Sequence, residues 1–358
     1  MILAKIDPNF ALESSLGRED IVWFDIRKAP FEFYGLYEPK NEGAFIRMPC
    51  DVAEKVSPGV RGLNYNTAGG RVRFSTDSPF VAIKTKQNFN HSPHMTHAMQ
   101  SGFDLYRNTE EKTTFACAFI PPVNAVGGFE QLRDVEAREG MTNYTLNFPL
   151  YGGASEVYIG IKEGCHIGEG AKYRPIKPIV YYGSSITQGG CASRPGNCYQ
   201  AIISAWNNVD YINLGFSGNC KAEIPMAEYL RELDMSIFVC DYDHNAPTVD
   251  HLRETHQRLY DLFREKQPET PYIMISKPDA WLKDQNGVDK RRQVIMDTFC
   301  YARAKGDKNV YFIDGRCLFG SDNRDNCTID GCHPNDLGFY RMAENIGIVI
   351  SEILDKMQ

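Results

Sequence analysis

Three residue types that lie far apart in the chain could together carry out acyl-transfer chemistry: a serine, a histidine and an aspartate. The serine sits in Gly183-Ser184-Ser185-Ile186-Thr187-Gln188-Gly189-Gly190, where the apolar run Ile179–Tyr182 enters one glycine and leaves through a glycine pair. A serine hydroxyl is a poor nucleophile at neutral pH and needs a base beside it, usually an imidazole. His333 suits that role because Asp330 precedes it by three residues in Asp330-Gly331-Cys332-His333-Pro334. A carboxylate placed there can accept from the imidazole Nδ1–H, fix the tautomer and stabilise the imidazolium. The oxyanion formed on the substrate carbonyl when Ser185 attacks then needs donors held in place beforehand. Candidates are the backbone N–H of Ser185, that of Gly218 in Ser217-Gly218-Asn219, and the side-chain amide of Asn245 in Asp243-His244-Asn245. Losing one such donor costs about 2.7–4 kcal/mol of transition-state stabilisation.

Each of these residues has rivals. Ser184 would be the nucleophile if the register were one residue off, and a serine after a strand also serves as a helix cap. His244 is the competing base; its neighbours Asp241 and Asp243 predict a raised pKa and a charged surface residue. Arg194, in Cys191-Ala192-Ser193-Arg194-Pro195-Gly196, either lines the pocket entrance or is a solvated loop arginine. Trp281 lies in a polar loop and could stack on a sugar ring; core packing is the default for it and for Trp206. His91, His94 and His97 are spaced by three, but no acidic or thiol fourth ligand lies between them, so they read as a loop with scattered histidines. Cys327, Cys332 and His333 come nearest to a zinc set yet lack two close ligand pairs. No metal and no cofactor are therefore expected.

The elements that must position these groups fall into two halves. Up to about residue 172 the apolar pattern has period two with turn punctuation, as in Tyr144, Leu146 and Phe148, or Val157, Ile159 and Ile161. Short strands at that spacing predict an antiparallel β-sandwich, jelly-roll-like, over 1–172. Beyond the proline-punctuated stretch Tyr173–Pro178, five short apolar runs begin at Ile179, Tyr211, Ser236, Tyr272 and Val310. Helical segments separate the later runs, and the last spans Leu337–Met357 with Met342, Ile346, Val349, Ile350 and Ile353 on one face. That alternation predicts a three-layer α/β/α domain with a five-stranded parallel sheet over 173–358. Chemistry in such sheets sits beyond the carboxyl ends of the strands, and the serine, glycine and asparagine candidates all follow strands.

A chain of 358 residues exceeds the length at which one core stops growing, in keeping with two domains. A net charge of −7 argues against a nucleic-acid or anionic-membrane partner, since both require a basic face. No apolar run approaches the ~18 residues needed to span a bilayer. Eleven cysteines are an odd number without a C-x-x-C pair, which reads as free thiols in a reducing compartment. With no signal-peptide pattern at the start, a cytoplasmic location is the expectation.

Taken in order, the Gly-x-Ser-Ile-Thr, Ser-Gly-Asn and Asp-x-x-His-Pro blocks resemble those of the SGNH hydrolases, the GDSL esterase/lipase family. Gly102-Phe103-Asp104-Leu105-Tyr106 is similar to the Gly-x-Asp-Leu-Tyr mark of a subgroup with an N-terminal β-sandwich. Two positions depart from the common motif: Ser184 stands where Asp is usual, and the third block reads Asp243-His244-Asn245-Ala246. The resemblance implies a nucleophilic Ser185, a His333 base oriented by Asp330, and oxyanion donors from Ser185, Gly218 and Asn245. It further implies a serine esterase without cofactor, cleaving short acyl esters, acetyl foremost, on a small molecule or oligosaccharide. Asp104 and Tyr106 are expected to pin the sandwich together or to the catalytic domain. A lipid or thioester acyl hydrolase on the same scaffold, and a non-catalytic carbohydrate-binding protein, are the alternatives; the oligomeric state is not legible.

Overall fold

A computed structural model describes residues 14–136, 139–278 and 287–357. In the first half, β1 (Ile21–Asp25), β2 (Glu32–Tyr34), β3 (Arg71–Thr76), β4 (Phe80–Asn88), β5 (Phe103–Asn108), β6 (Thr113–Phe119), β7 (Gly128–Asp134), β8 (Thr142–Asn147), β9 (Gly153–Lys162) and β10 (Ile167–Glu169) form two antiparallel sheets. One runs β1-β9-β4-β7; the other runs β10-β3-β8-β5-β6 with β2 on the flank of β3. With the three-residue strands β2 and β10 set aside and the rest renumbered, the orders become 1-8-3-6 and 2-7-4-5. This is the jelly-roll arrangement of two facing four-stranded sheets. Between them lies a core of Val72, Phe74, Ile83, Phe103, Leu105, Tyr144 and Leu146, all 2% exposed or less.

The second half is built on β11 (Ile179–Gly183), β12 (Tyr211–Gly215), β13 (Ile237–Asp241), β14 (Tyr272–Ile275) and β15 (Val310–Ile313). All pair in parallel, in the order β12-β11-β13-β14-β15. Strands buried on both faces read as continuous apolar runs, and their side chains split by parity. Ile179 and Tyr181 face the helices Tyr199–Asn207 and Asp336–Asp355, through Ile203, Phe339, Met342 and Ile346. Val180 and Tyr182 face Ile224–Glu232, Val249–Lys266 and Val288–Ala304, through Met226, Leu259, Phe263 and Ile295. Each such Ile, Leu or Phe contributes about 1.5–3 kcal/mol by leaving water. Among the described residues no helix is long and apolar enough to cross a membrane.

The first half also reaches into this second core. Helices Cys50–Val56 and Pro58–Leu63 place Ala53, Val56 and Val60 in the same apolar cluster as Phe216, Ala222 and Met226. Arg47, just ahead of them, is buried and donates to the carbonyls of Asn213 (3.3 Å), Gly215 (2.5 Å) and Leu63 (2.7 Å). Its guanidinium lies over the Phe216 ring at 4.2 Å. Burial without a carboxylate partner lowers the Arg47 pKa to about 9.

Candidate active site

Strand register aligns three loops. Gly183 at the end of β11 lies opposite Gly215 of β12 and Asp241 of β13. Ser185, Gly218 and Asn245 therefore follow aligned strand ends by two, three and four residues, at the point where the strand order reverses and open sheets bind ligands. After β11, Ser184 caps a one-turn helix, Ser185–Gln188; its hydroxyl accepts from the Ile186 N–H at 3.1 Å and is fully buried. That engagement leaves Ser185 as the hydroxyl free to meet the histidine, at 8% exposure against none for Ser184. Ser185 Oγ lies 3.0 Å from His333 Nε2, and His333 Nδ1 lies 2.7 Å from Asp330 Oδ2. Asp330 Oδ1 accepts from the backbone N–H groups of His333 (2.7 Å) and Cys332 (2.9 Å), so both carboxylate oxygens are committed. Burial pushes the Asp330 carboxyl up, but the bonds from the His333 ring and the two N–H groups outweigh it and hold the pKa below the usual value.

The histidine is carried by a pinned turn. Ile329 donates to the His333 carbonyl (3.1 Å), Asn335 donates to the Cys327 carbonyl (2.9 Å), and Thr328 bridges Pro334. Asn335 then caps the closing helix, its side chain accepting from Gly338 N–H at 3.1 Å.

Gly218 has φ +72°, a left-handed conformation that glycine adopts without strain, with no atom within 4 Å of where a Cβ would project. The N–H of Gly218 and that of Ser185 donate to no protein acceptor among the described residues. Asn245 Oδ1 accepts from the Cys220 N–H at 3.2 Å, which orients the amide and leaves its NH2 side available. Gly218 and Asn245 line one cleft of about 590 Å³ together with His244, Lys277 and Cys332.

Residues 176–351 match the GDSL-like lipase/acylhydrolase family, and residues 21–167 match the GxDLY N-terminus of SGNH-hydrolase-type esterases. A GDSL-like lipase from Bacteroides ovatus is 31% identical, with TM-score 0.84, covering 94% of this chain and 98% of that one. The chain belongs to the GDSL-like lipase/acylhydrolase family. It is a serine ester hydrolase. A salicylyl-acyltransferase from a tetracycline biosynthetic pathway shares the fold at 18% identity and TM-score 0.75, covering 94% and 99% of the two chains. An acetyl xylan esterase from the rumen bacterium Butyrivibrio proteoclasticus shares it at 13% identity and TM-score 0.57, covering 95% and 100%. No curated protein matches the chain.

In this GDSL-family chain the Gly-x-Asp-Leu-Tyr segment clamps the loop that follows the nucleophile. Asp104, fully buried, accepts from Gly196 N–H at 2.8 Å and from the Asn147 amide at 2.9 Å. Gly196 must lack a side chain because a Cβ would meet the Tyr106 ring at 2.3 Å. The same loop grips the closing helix: Asp336 accepts from Ser193 N–H (2.8 Å) and from the Asn197 amide (2.9 Å). Asp104 thus connects, through residues 193–197, to the helix that begins three residues after His333.

Arg194, read either as lining the pocket entrance or as a solvated loop arginine, is turned toward this junction. Its guanidinium lies 4.1 Å from the Phe115 ring and 5.6 Å from that of Tyr106, and its Nε is 3.6 Å from Asp104. A buried carboxylate and two aromatic faces draw it in. Trp281 lies outside the described residues. Trp206 is half exposed, edge-on to Tyr340, and lines a second cavity of about 460 Å³ between the two halves.

His244 differs from its expectation as well. It is half-buried with its Nε2 shielded from solvent, and desolvation first, then Lys277, His333 and Arg291, lowers its pKa to about 3, so it stays neutral. Its Nδ1 lies 3.7 Å from Cys332 Sγ. Among the three spaced histidines, the His91 and His97 rings stack at 5.4 Å, while His94 turns to the His333 ring at 5.7 Å.

Two positioning residues were not singled out from the sequence. Gln188 accepts from Ser217 N–H at 2.9 Å and donates to Asn66 and Leu150, both at 3.1 Å. It ties the loop carrying Gly218 to the nucleophile helix, and its place directly after Ser-Ile-Thr was the available signal. Arg47 carried no such signal, because two of its three carbonyl partners lie 166 and 168 residues away.

Proposed function

We propose that Ser185 attacks the carbonyl of a short acyl ester, acetyl foremost, on a carbohydrate alcohol, and that an acyl-enzyme on Ser185 is then hydrolysed. One observation carries this reading: a continuous hydrogen-bond chain from Ser185 Oγ through both ring nitrogens of His333 to Asp330, at 3.0 and 2.7 Å. As Oγ attacks, His333 Nε2 takes its proton, while Asp330 holds Nδ1–H and stabilises the imidazolium. His333 returns the proton to the leaving alcohol. Water, activated by the same imidazole, then releases the acid and regenerates Ser185. The N–H of Gly218, the N–H of Ser185 and the Asn245 amide, free of protein acceptors among the described residues, stabilise the tetrahedral oxyanion.

Support for a small acyl group comes from the cleft, where His244, Asn245, Thr248, Lys277 and Arg291 interrupt the apolar wall a long chain would need. Support for a carbohydrate alcohol comes from the shared fold of the acetyl xylan esterase. The test is a set of p-nitrophenyl esters of increasing acyl length, followed by acetate release from acetylated oligosaccharides. Acetyl should be the preferred acyl group and Ser185→Ala should abolish turnover. A preference for long chains would favour a lipid hydrolase, and an unaffected Ser185→Ala protein would remove the proposed nucleophile.

A further inference from the structure

The loop bearing His94 meets the loop after the nucleophile helix. Thr96 Oγ1 donates to the Ser193 carbonyl at 2.7 Å, and Cys191 Sγ donates to the His94 carbonyl at 3.7 Å. These contacts gather three side chains of strong affinity for transition metals. One ligand atom each from His94, Cys191 and His333 lie within 4.8 Å of one another. Two imidazoles and a thiolate are a ligand set suited to zinc, whose bonds run about 2.0–2.1 Å to nitrogen and 2.3 Å to sulfur in a tetrahedron. Such a tetrahedron separates its ligand atoms by about 3.3–3.6 Å, so closing the set requires a movement of about 1 Å. His94 can supply it, since its side chain is exposed and forms no hydrogen bond among the described residues. Asp330 already holds His333 Nδ1 at 2.7 Å. That is the carboxylate–histidine pairing that orients zinc-ligating imidazoles through the opposite nitrogen.

The geometry points to an inhibitory zinc site formed by His94, Cys191 and His333, in which the metal occupies the Nε2 lone pair that would otherwise take the Ser185 proton. On binding, the Cys191 thiol gives its proton to solvent, three protein donor pairs enter the zinc shell, and water or Ser185 Oγ completes it. No electron is transferred and no covalent bond is cleaved other than S–H. Occupation and acylation then exclude one another, because both require the same nitrogen.

The inference goes beyond the proposed substrate and is readable without turnover. Metal-free full-length protein carrying Ser185→Ala is titrated with Co²⁺, and a thiolate-to-cobalt charge-transfer band in the near ultraviolet is expected. Cys191→Ser should abolish the band, and His94→Ala should weaken binding by more than the roughly tenfold that loss of an outer-shell partner costs. With Ser185 present, buffered Zn²⁺ should inhibit p-nitrophenyl acetate hydrolysis, and each variant should need over about tenfold more zinc. Zinc-free rates of His94→Ala and Cys191→Ser should stay near the parent. Cobalt binding without the sulfur band, or zinc sensitivity unchanged in His94→Ala, would overturn the site.

Discussion

Replacing Asp104 with alanine should both destabilise the protein and slow its chemistry, although Asp104 touches none of the reacting groups. The carboxylate accepts from Gly196 N–H (2.8 Å) and Asn147 (2.9 Å) and lies 3.6 Å from Arg194. Alanine leaves two buried donors without an acceptor and takes the carboxylate from a half-buried cation. At about 1–3 kcal/mol per unsatisfied group the donors alone cost about 2–6 kcal/mol, and breaking a buried pair costs about 3–5 kcal/mol. A loss of about 3–5 kcal/mol in urea unfolding is therefore expected. The freed loop 193–197 also releases Asp336 at the start of the closing helix, so His333 loses its lateral support. A displacement of about 1 Å costs about 100-fold in kcat, and the ester assay reads it directly. Asp104→Asn separates charge from geometry, since its amide oxygen can still accept from Gly196. Burial raises the Asp104 pKa to about 6, against its ordinary 3.8. The folded form thus holds its proton over a pH range in which the unfolded chain has lost it, and stability falls as pH climbs from about 4 to about 6. Each pH unit between those two values is worth about 1.4 kcal/mol. The decline is therefore about 3 kcal/mol, and the Asn variant should lack it. Alanine and parent proteins unfolding within about 0.5 kcal/mol of each other, the range of an ordinary surface substitution, would refute the clamp.

Gly218→Ala meets no neighbour but must hold φ +72°; a cost of about 1–2 kcal/mol and a fall in kcat toward the about 10²–10³-fold of a lost oxyanion donor are expected from unfolding and steady-state assays. Asp241, buried beside the nucleophile helix, accepts from Thr187 (3.1 Å) and Tyr199 (3.3 Å), and burial raises its pKa to about 7. Stability should therefore decline by about 4 kcal/mol as pH rises from about 4 to about 7, and Asp241→Asn, measured by denaturant titration across that range, should remove this contribution.

Much of the architecture was legible because burial on both faces forces a local pattern. Ile179–Tyr182 and the other apolar runs read as strands of a sheet covered on both faces, and period-two alternation marked the sandwich. The order of Ser185, Gly218, Asn245, Asp330 and His333 along the chain was readable, since each is bound to its own strand end or turn. Contacts between distant segments were not. Nothing local in Cys50–Leu63 says that it packs against Phe216 and Met226. His244 was read from its acidic neighbours in sequence, whereas the surrounding fold desolvates its ring and keeps it neutral. Arg194 shows the same limit: its partners Asp104 and Phe115 lie 90 and 79 positions earlier and are brought near only by the junction of the two halves. His94 reads as one of three equivalent loop histidines until the fold stacks the other two and sends it to His333.

The most direct measurement is to mix the protein with p-nitrophenyl acetate, quench within the first turnover, and map the acylated peptide by mass spectrometry. An acetyl group on Ser185, absent from Ser184 and lost on further incubation, is the predicted result. Full turnover with no acylated serine, or with the label on another residue, would contradict the account.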